Sequence, residues 1–505
     1  MLILKEVVTS QKDQKKPIFL AYLDVTKAYD KAWLTGIMYA IHNNGIKGPL
    51  WNIIRKLNMN LKATIKTKDG PTRPINIKDS IRQGGVLSVL MYALLMDEIA
   101  KELEKENKGC IIKGTDKKVG CLLWMDDVVL FSETDKEMQE MLDITYKVAK
   151  KYHIEFGKDK SKIMTTEKKN STQFHLGDMN MDKTDTYKYL GETIHNKQKM
   201  DEHIKLTKSK AEGALQTILG IAKDPQLRGI EMETICMRLV EVCITPILTY
   251  GSETWSPNKK ERKEINKMLD NIIKRILLLP VTTPREVLYI ETGLKDLSYI
   301  TERNRLNMEQ RLEKTKNNLI EDVMQNTAKN SWTNINRIIH ENNGTDVTTS
   351  KTHREIIMDS KFKQRLEQDA EGKSKVNFLL QGIKEWTPGK RQKYLSKLNR
   401  IESNEIFKLR TRMTKIKRNY KGAYRNLTCR GCNATEETQK HVLEECTSIH
   451  QDETTKIYEE QYFTDNIDML KETVKKIKPI LARLEQSEAP PESGEGHPGI
   501  RVNTR

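Results

Sequence analysis

Cys121-Leu122-Leu123-Trp124-Met125-Asp126-Asp127-Val128-Val129-Leu130-Phe131 sets two adjacent carboxylates between two apolar, β-favouring runs. Four such residues on each side of a tight turn read as a β-hairpin with the acids at its tip. Hairpin tips favour Asn-Gly or Asp-Gly because the turn demands positive φ angles. Asp-Asp costs more there and crowds two negative charges. A divalent cation would offset the crowding, and hard carboxylate oxygens suit Mg²⁺. By itself the doublet is a weak signal, since most such pairs are solvated loop residues.

Upstream, Ile18-Phe19-Leu20-Ala21-Tyr22-Leu23-Asp24 reads as a strand with a carboxylate at its C-terminal end. Residues 32–43 carry apolar side chains at 34, 37, 38 and 41, one helical face, with Gly45 as the stop. Segments 63–67 and 72–77 flank Lys68-Asp69-Gly70-Pro71 as another hairpin, and 86–104 reads as a second helix. After the Asp-Asp hairpin come a third helix over 134–152, with a face at 138, 141, 142, 145, 148 and 149, and a closing strand over 154–156. Strand–helix–hairpin–helix–strand is the split βαβ order of a ferredoxin-like sheet, so the fold class is α+β. In that topology the first strand adjoins the central hairpin, which gathers Asp24, Asp126 and Asp127 into a three-carboxylate cluster.

The chain has 505 residues, enough for two to four domains, and a formal charge of +17, which favours a polyanionic partner, most simply nucleic acid. It contains no apolar run of about 18 residues, so no membrane span is expected, and its first residues lack a signal-peptide layout. Seven cysteines, an odd number over this length, argue for a reducing, intracellular compartment, nuclear or cytoplasmic, rather than a disulfide framework. Beyond the α+β region, 200–310 is helical, with amphipathic stretches over 232–247 and 259–279. Residues 311–425 are highly charged with helical periodicity. The last region holds a Cys/His cluster, a charged helix over 466–486 and a tail too polar to order itself.

Read as blocks, the first region resembles a reverse transcriptase of non-LTR (LINE-type) retrotransposons. Leu23-Asp24-Val25-Thr26-Lys27-Ala28-Tyr29-Asp30 is similar to the first catalytic block. Arg82-Gln83-Gly84-Gly85-Val86-Leu87-Ser88 is similar to the second, and Trp124-Met125-Asp126-Asp127 to the third. Gly157-Lys158-Asp159-Lys160-Ser161-Lys162 resembles the fourth, Tyr187-Lys188-Tyr189-Leu190-Gly191 the fifth, and Thr249-Tyr250-Gly251-Ser252-Glu253-Thr254-Trp255 a signature of the thumb side. The resemblance implies that Asp24 and Asp126 hold two Mg²⁺ ions, with Asp127 in support and the Val25 carbonyl as a further ligand. It implies that Tyr29 lies beneath the incoming sugar and excludes a 2′-hydroxyl, although an ordinary core aromatic is the competing reading. Gln83 and Gly84 would approach nucleotide and template. Lys160 would protonate the leaving pyrophosphate, or else is a surface lysine, and Tyr189-Leu190-Gly191 would form the primer grip. Val86 and Val89 stand where the pattern has proline, Gly157 where asparagine is common, and Trp124 where a smaller aromatic precedes Asp-Asp.

Cys429, Cys432, His441 and Cys446 follow the pattern C-x₂-C-x₈-H-x₄-C. Soft thiolates plus an imidazole in a four-ligand set favour one tetrahedral structural Zn²⁺. Gly431 lets the chain fold round the metal, and His441 and Cys446 are expected on a short helix. The basic run over 415–424, with two tyrosines, is either a nucleic-acid contact or a solvated helix face.

The expected division is a palm over 1–195 with truncated fingers, a helical thumb and connection over 196–310 and a charged linker region over 311–425. A zinc-binding region with a C-terminal helix over 426–486 and a disordered tail over 487–505 complete it. Only 23 residues precede Asp24, which reads as the 3′ portion of an element's reading frame. The expected activity is RNA-directed DNA polymerisation, with RNA template, DNA primer and deoxynucleoside triphosphates as partners and the oligomeric state open. An inactive remnant that binds nucleic acid, and an RNA-dependent RNA polymerase, are the rivals.

Overall fold

The computed structural model describes residues 1–486 apart from 78, 113–116, 168–169, 224–231, 256, 326–331, 347, 384, 421–422 and 425. The tail over 487–505, expected to be disordered, lies outside the described residues, as do 421–422 of the basic run. The chain divides into two units. The first comprises Met1–Thr207, Tyr250–Arg262 and Thr301–Lys351; the second comprises Lys208–Thr249, Lys263–Ile300 and Thr352–Arg505.

The first unit is built on a six-stranded mixed sheet. Its strands are β1 (Phe19–Asp24), β2 (Cys121–Trp124), β3 (Asp127–Ser132), β4 (Lys162–Thr165), β5 (Phe174–Leu176) and β6 (Met179–Lys183), in the order β5-β6-β4-β1-β3-β2. Neighbours are antiparallel except β4 and β6, which run parallel. A separate hairpin joins β7 (Thr186–Tyr189) to β8 (Glu192–His195).

Alternation along the strands sorts side chains to two cores. Phe19, Ala21 and Leu23 of β1, with Val128 and Leu130 of β3, join the core under α2 (Leu34–Asn43), α4 (Ser88–Lys105) and α5 (Asp135–Lys151); Ile54 of α3 (Gly48–Asn58) joins them. Leu20, Tyr22, Val129 and Phe131 join the core on the other face, with Leu4 and Val7 of the N-terminal helix α1 (Leu2–Asp13) and with Val323 and Trp332. Because Asp24 follows Tyr22 by two and Asp127 precedes Val129 by two, both acids belong to this second face. The helices start where the chain dictates: the Thr134 hydroxyl caps α5 by accepting the Glu137 N–H at 3.2 Å.

One sequence expectation is corrected by the sheet. Residues 154–156 do not close the sheet: Phe156 makes only an isolated bridge with Val25, and the strand beside β1 is Lys162–Thr165. Its Ile163 and Met164 are buried on opposite faces, a pattern too short to stand out beside the lysines around it. The stretch over 232–247 is helical, with a π-helical segment, Val240–Ile244, between Met232–Leu239 and Thr245–Thr249.

The second unit is helical among its described residues, and includes α6 (Ser374–Gly382) and α7 (Arg400–Arg410), the latter opened by a capping box of Asn399 with Glu402. His441–Glu445 is a single π-helical turn, so His441 and the following Cys446 sit at its two ends.

Candidate active site and metal centre

Strand pairing brings the acids together. Asp24 and Asp127 face each other across β1 and β3, and Trp124 pairs with Asp127 across β2 and β3. The turn is therefore Met125-Asp126, and Asp127 already belongs to the strand. The left-handed φ required by so tight a turn falls on Met125, at +56°, and on neither aspartate. Burial raises the pKa of Asp127, and the charges of Asp126 and Asp24 raise it further; Lys160 opposes them. Three gathered carboxylates, two of whose charges raise the pKa of Asp127, have the donor set and the excess negative charge that suit hard divalent cations.

The Gly157–Ser161 loop holds Asp24. Its backbone carbonyl accepts the Gly157 N–H at 2.9 Å, its N–H donates to Ser161 Oγ at 3.3 Å, and Lys160 Nζ lies 3.3 Å from its carboxylate. A Cβ on Gly157 would meet Thr26 Oγ1 at 3.2 Å, so a side chain there would have to displace Thr26. Val25 is buried directly after Asp24.

Tyr29 lies half-buried, its ring stacked on Tyr92 at 5.4 Å, and its hydroxyl is 3.9 Å from Met125 Sδ. The Tyr92 hydroxyl is buried without a hydrogen-bond partner; burial first, and then the charge of Asp126, raise its pKa. Gln83 is exposed and donates to Asp30 Oδ1 at 3.2 Å. Gly84 holds φ +77° in open space, a conformation that favours glycine, while a Cβ on Gly85 would lie 2.5 Å from Ser88 Oγ. Val86 is 95 % and Trp124 60 % exposed, so two of the departures from the family pattern occupy open surface.

Leu190 and Gly191 form the two-residue turn between β7 and β8, both with positive φ, +46° and +81°. Tyr250 packs against this turn: its hydroxyl donates to the Leu190 carbonyl at 3.0 Å, and a Cβ on Gly191 would lie 2.8 Å from its ring. Tyr189 is buried, and Tyr187 stacks on Tyr22 at 4.2 Å with an interplanar angle of 12°. Burial, then the charges of Asp127 and Asp24, push the Tyr187 phenol up to about 12. Sequence reasoning did not single out Tyr22, Tyr92, Ser161, Tyr187 or Tyr250 as site residues. Ser161, Tyr187 and Tyr250 stood inside the quoted blocks, but the sequence held no sign of which atoms they would touch.

On the second unit, ligand atoms of Cys429, Cys432, His441 and Cys446 all lie within 4.8 Å of one another. Cys429 Sγ is 3.8 Å from Cys446 Sγ, and Cys432 Sγ is 3.3 Å from His441 Nε2. A disulfide would need about 2.05 Å. Two thiolates about 2.3 Å from one tetrahedral Zn²⁺ lie about 3.8 Å apart, which is the observed spacing. Gly431 donates to Cys429 Sγ at 3.3 Å, and a Cβ there would come within 3.0 Å of Ile449, so glycine lets the chain turn beside the sulfurs. Arg430, buried, pairs with the buried Glu437 and fixes the loop from behind. All seven cysteines are free thiols.

Residues 3–194 match the reverse transcriptase (RNA-dependent DNA polymerase) family, and this part of the chain is a reverse transcriptase domain. It has distant homology to the Pol polyproteins of R2 non-LTR retrotransposons. The retrovirus-related Pol polyprotein from type-1 retrotransposable element R2 of Nasonia vitripennis is 24 % identical over 301 residues, 56 % of this chain and 27 % of the relative. That of Popillia japonica is 24 % identical over 314 residues, 59 % and 42 %. The chain thus spans less than half the length of these curated relatives. Among solved structures, telomerase from Candida albicans in complex with a telomeric RNA fragment aligns at TM-score 0.30 and 11 % identity over 67 % of this chain and 52 % of that one. Apo telomerase from Candida Tropicalis aligns at TM-score 0.33 and 12 % identity over 63 % and 54 %. Both likenesses are too slight to bear on the fold. Among the described residues no helix is long and apolar enough to cross a membrane.

Proposed function

We propose that the chain is the RNA-directed DNA polymerase of a non-LTR retrotransposon, a ferredoxin-like palm followed by a helical thumb and a small zinc-binding region. The pairing of Asp24 with Asp127, beside Asp126 in the turn, carries this reading. Asp24 and Asp126 would hold two Mg²⁺ ions, with Asp127 and the Val25 carbonyl in support. Bound there, the ions would lower the pKa of the primer 3′-hydroxyl and neutralise the triphosphate. The chain's own residues do the rest. Tyr29, braced by Tyr92, sets the floor under the sugar, and Gln83 and Gly84 meet nucleotide and template. Lys160, now on Asp24, would give a proton to the leaving pyrophosphate once cations take its place at the carboxylate. Tyr189, Leu190 and Gly191 grip the primer. Cys429, Cys432, His441 and Cys446 would hold one structural Zn²⁺.

Primer extension on an RNA template with Mg²⁺ tests the reading. The wild type incorporates deoxynucleotides, and Asp126→Asn falls by about a thousandfold or more. A wild type that binds RNA yet incorporates nothing would make the chain a binding remnant, and a preference for ribonucleotides would make it an RNA polymerase.

A further inference from the structure

Two cations anchored at the start of α6 meet no carboxylate among the described residues. Lys375, in the first turn of α6, is half-buried, with its Nζ 3.0 Å from Met413 Sδ and 4.6 Å from the centre of the Tyr420 ring. A thioether and a π-face are weak partners for an ammonium. Burial lowers the Lys375 pKa, and no carboxylate acts to raise it. Tyr420 is itself pinned, its hydroxyl donating to the Met413 carbonyl at 2.7 Å.

One turn further along α6, Phe378 lies under the guanidinium of Arg412, 3.9 Å from the ring centre. Arg412 adjoins Met413, and Lys375 and Phe378 lie three residues apart on α6, so both cations are anchored on the same turn of that helix. Arg412 sits just past the end of α7 with φ +50°, in the position where helices favour glycine. Holding an arginine there costs about 1–2 kcal/mol. Nearby cations have acids: Lys373 pairs with Glu286, Lys408 with Glu405, Arg410 with Glu291 and Arg418 with Glu436. Lys375 and Arg412 pair with no carboxylate among the described residues.

We propose that Lys375 and Arg412 form a subsite for the phosphodiester backbone of a single-stranded nucleic acid. The choice of nucleic acid as the anion rests on the reverse transcriptase reading. The ligand class follows from the side chains: a desolvated ammonium and a planar guanidinium, both preordered on aromatic rings, bind phosphate oxygens without reading sequence.

The full chain is titrated against a fluorescein-labelled single-stranded RNA at several salt concentrations, by anisotropy. Arg412→Gly is the decisive variant, because glycine suits φ +50° and its melting temperature stays at or above that of the wild type. Arg412→Gly and Lys375→Gln are each expected to weaken binding about three- to tenfold on any sequence, and to reduce the slope of log K against log salt by about 0.7. An Arg412→Gly chain that binds with unchanged affinity and slope overturns the subsite, as does displacement of the strand by millimolar inorganic phosphate, which would assign the site to free phosphate. Primer extension by the wild type separates the two readings. If it extends primers while both variants bind normally, the subsite alone falls; if the variants weaken binding while nothing extends, polymerisation alone falls.

Discussion

Tyr29 is the residue at which specificity for the sugar is decided in the proposed reaction. Its ring rests on the buried Tyr92 and its hydroxyl reaches Met125, so it is braced against retreat. Tyr29→Ala should therefore admit ribonucleotides, narrowing the ratio of deoxy- to ribonucleotide incorporation by about 10- to 200-fold, the range a lost steric contact supplies. Parallel single-nucleotide extensions measure it. An unchanged ratio with a lower melting temperature would return Tyr29 to the status of a core aromatic. The meeting of Asp24 with Asp127 was legible in the sequence, since the strand–helix–hairpin–helix–strand order sets the first strand beside the hairpin, while the roles of these acids came only from the resemblance. What could not be read was which residue absorbs the turn's backbone demand. Asp-Asp looked like the strained pair, whereas Met125 takes the left-handed conformation.

Among the elements, the β7–β8 hairpin shows why glycine stands at 191. Its φ of +81° and the Tyr250 ring, 2.8 Å from where a Cβ would be, both exclude a side chain. Gly191→Ala is expected to cost about 1–3 kcal/mol in denaturant melts. In a Tyr250→Ala background the same change should cost less, because only the backbone part remains; equal costs in the two backgrounds would show that the ring gives way freely. The strands with clean alternation, β1 and β3, were readable because each face buries its own set of side chains. Lys162–Thr165 was not, because four residues amid lysines give too little periodicity to compete with the Ile-Glu-Phe alternation at 154–156. The N-terminal helix also escaped notice, since Leu2, Leu4, Val7 and Val8 bury their face only against the far side of the sheet, a surface that exists only after folding.

At the scale of the molecule, stability should depend on pH and on metal, each through a different unit. In the first unit Glu6 is 2 % exposed, and burial pushes its carboxyl from 4.5 to about 7 while the Trp332 N–H and Arg305 oppose the shift. A carboxyl whose pKa is higher folded than unfolded favours folding while neutral, so its contribution is complete below pH 4.5 and is lost as pH rises through about 7. Glu6→Gln keeps an acceptor for Trp332 and removes the proton. Its stability relative to wild type should rise with pH across that window, by at most about 1.4 kcal/mol per pH unit, in urea melts. A constant difference would place the proton elsewhere. In the second unit, elemental analysis of the purified chain should find one zinc, lost in Cys446→Ser. A chelator should lower the melting temperature, and Zn²⁺ but not Mg²⁺ should restore it. The division of labour between units was hidden in the sequence, because Tyr250–Arg262 and Thr301–Lys351 join the first unit across long stretches that belong to the second.

The facing of Asp24 and Asp127 has a consequence for which changes the proposed site could survive. A substitution almost anywhere in β1 or β3 changes one side chain and leaves the two acids opposite each other. Gain or loss of a single codon within either strand, still in frame, would turn one acid to the helix-covered side and set an apolar neighbour in its place. In the proposed reaction such a chain would lose its paired acids, so primer extension by a variant with a one-codon insertion within 19–24 or 127–132 should fall to background.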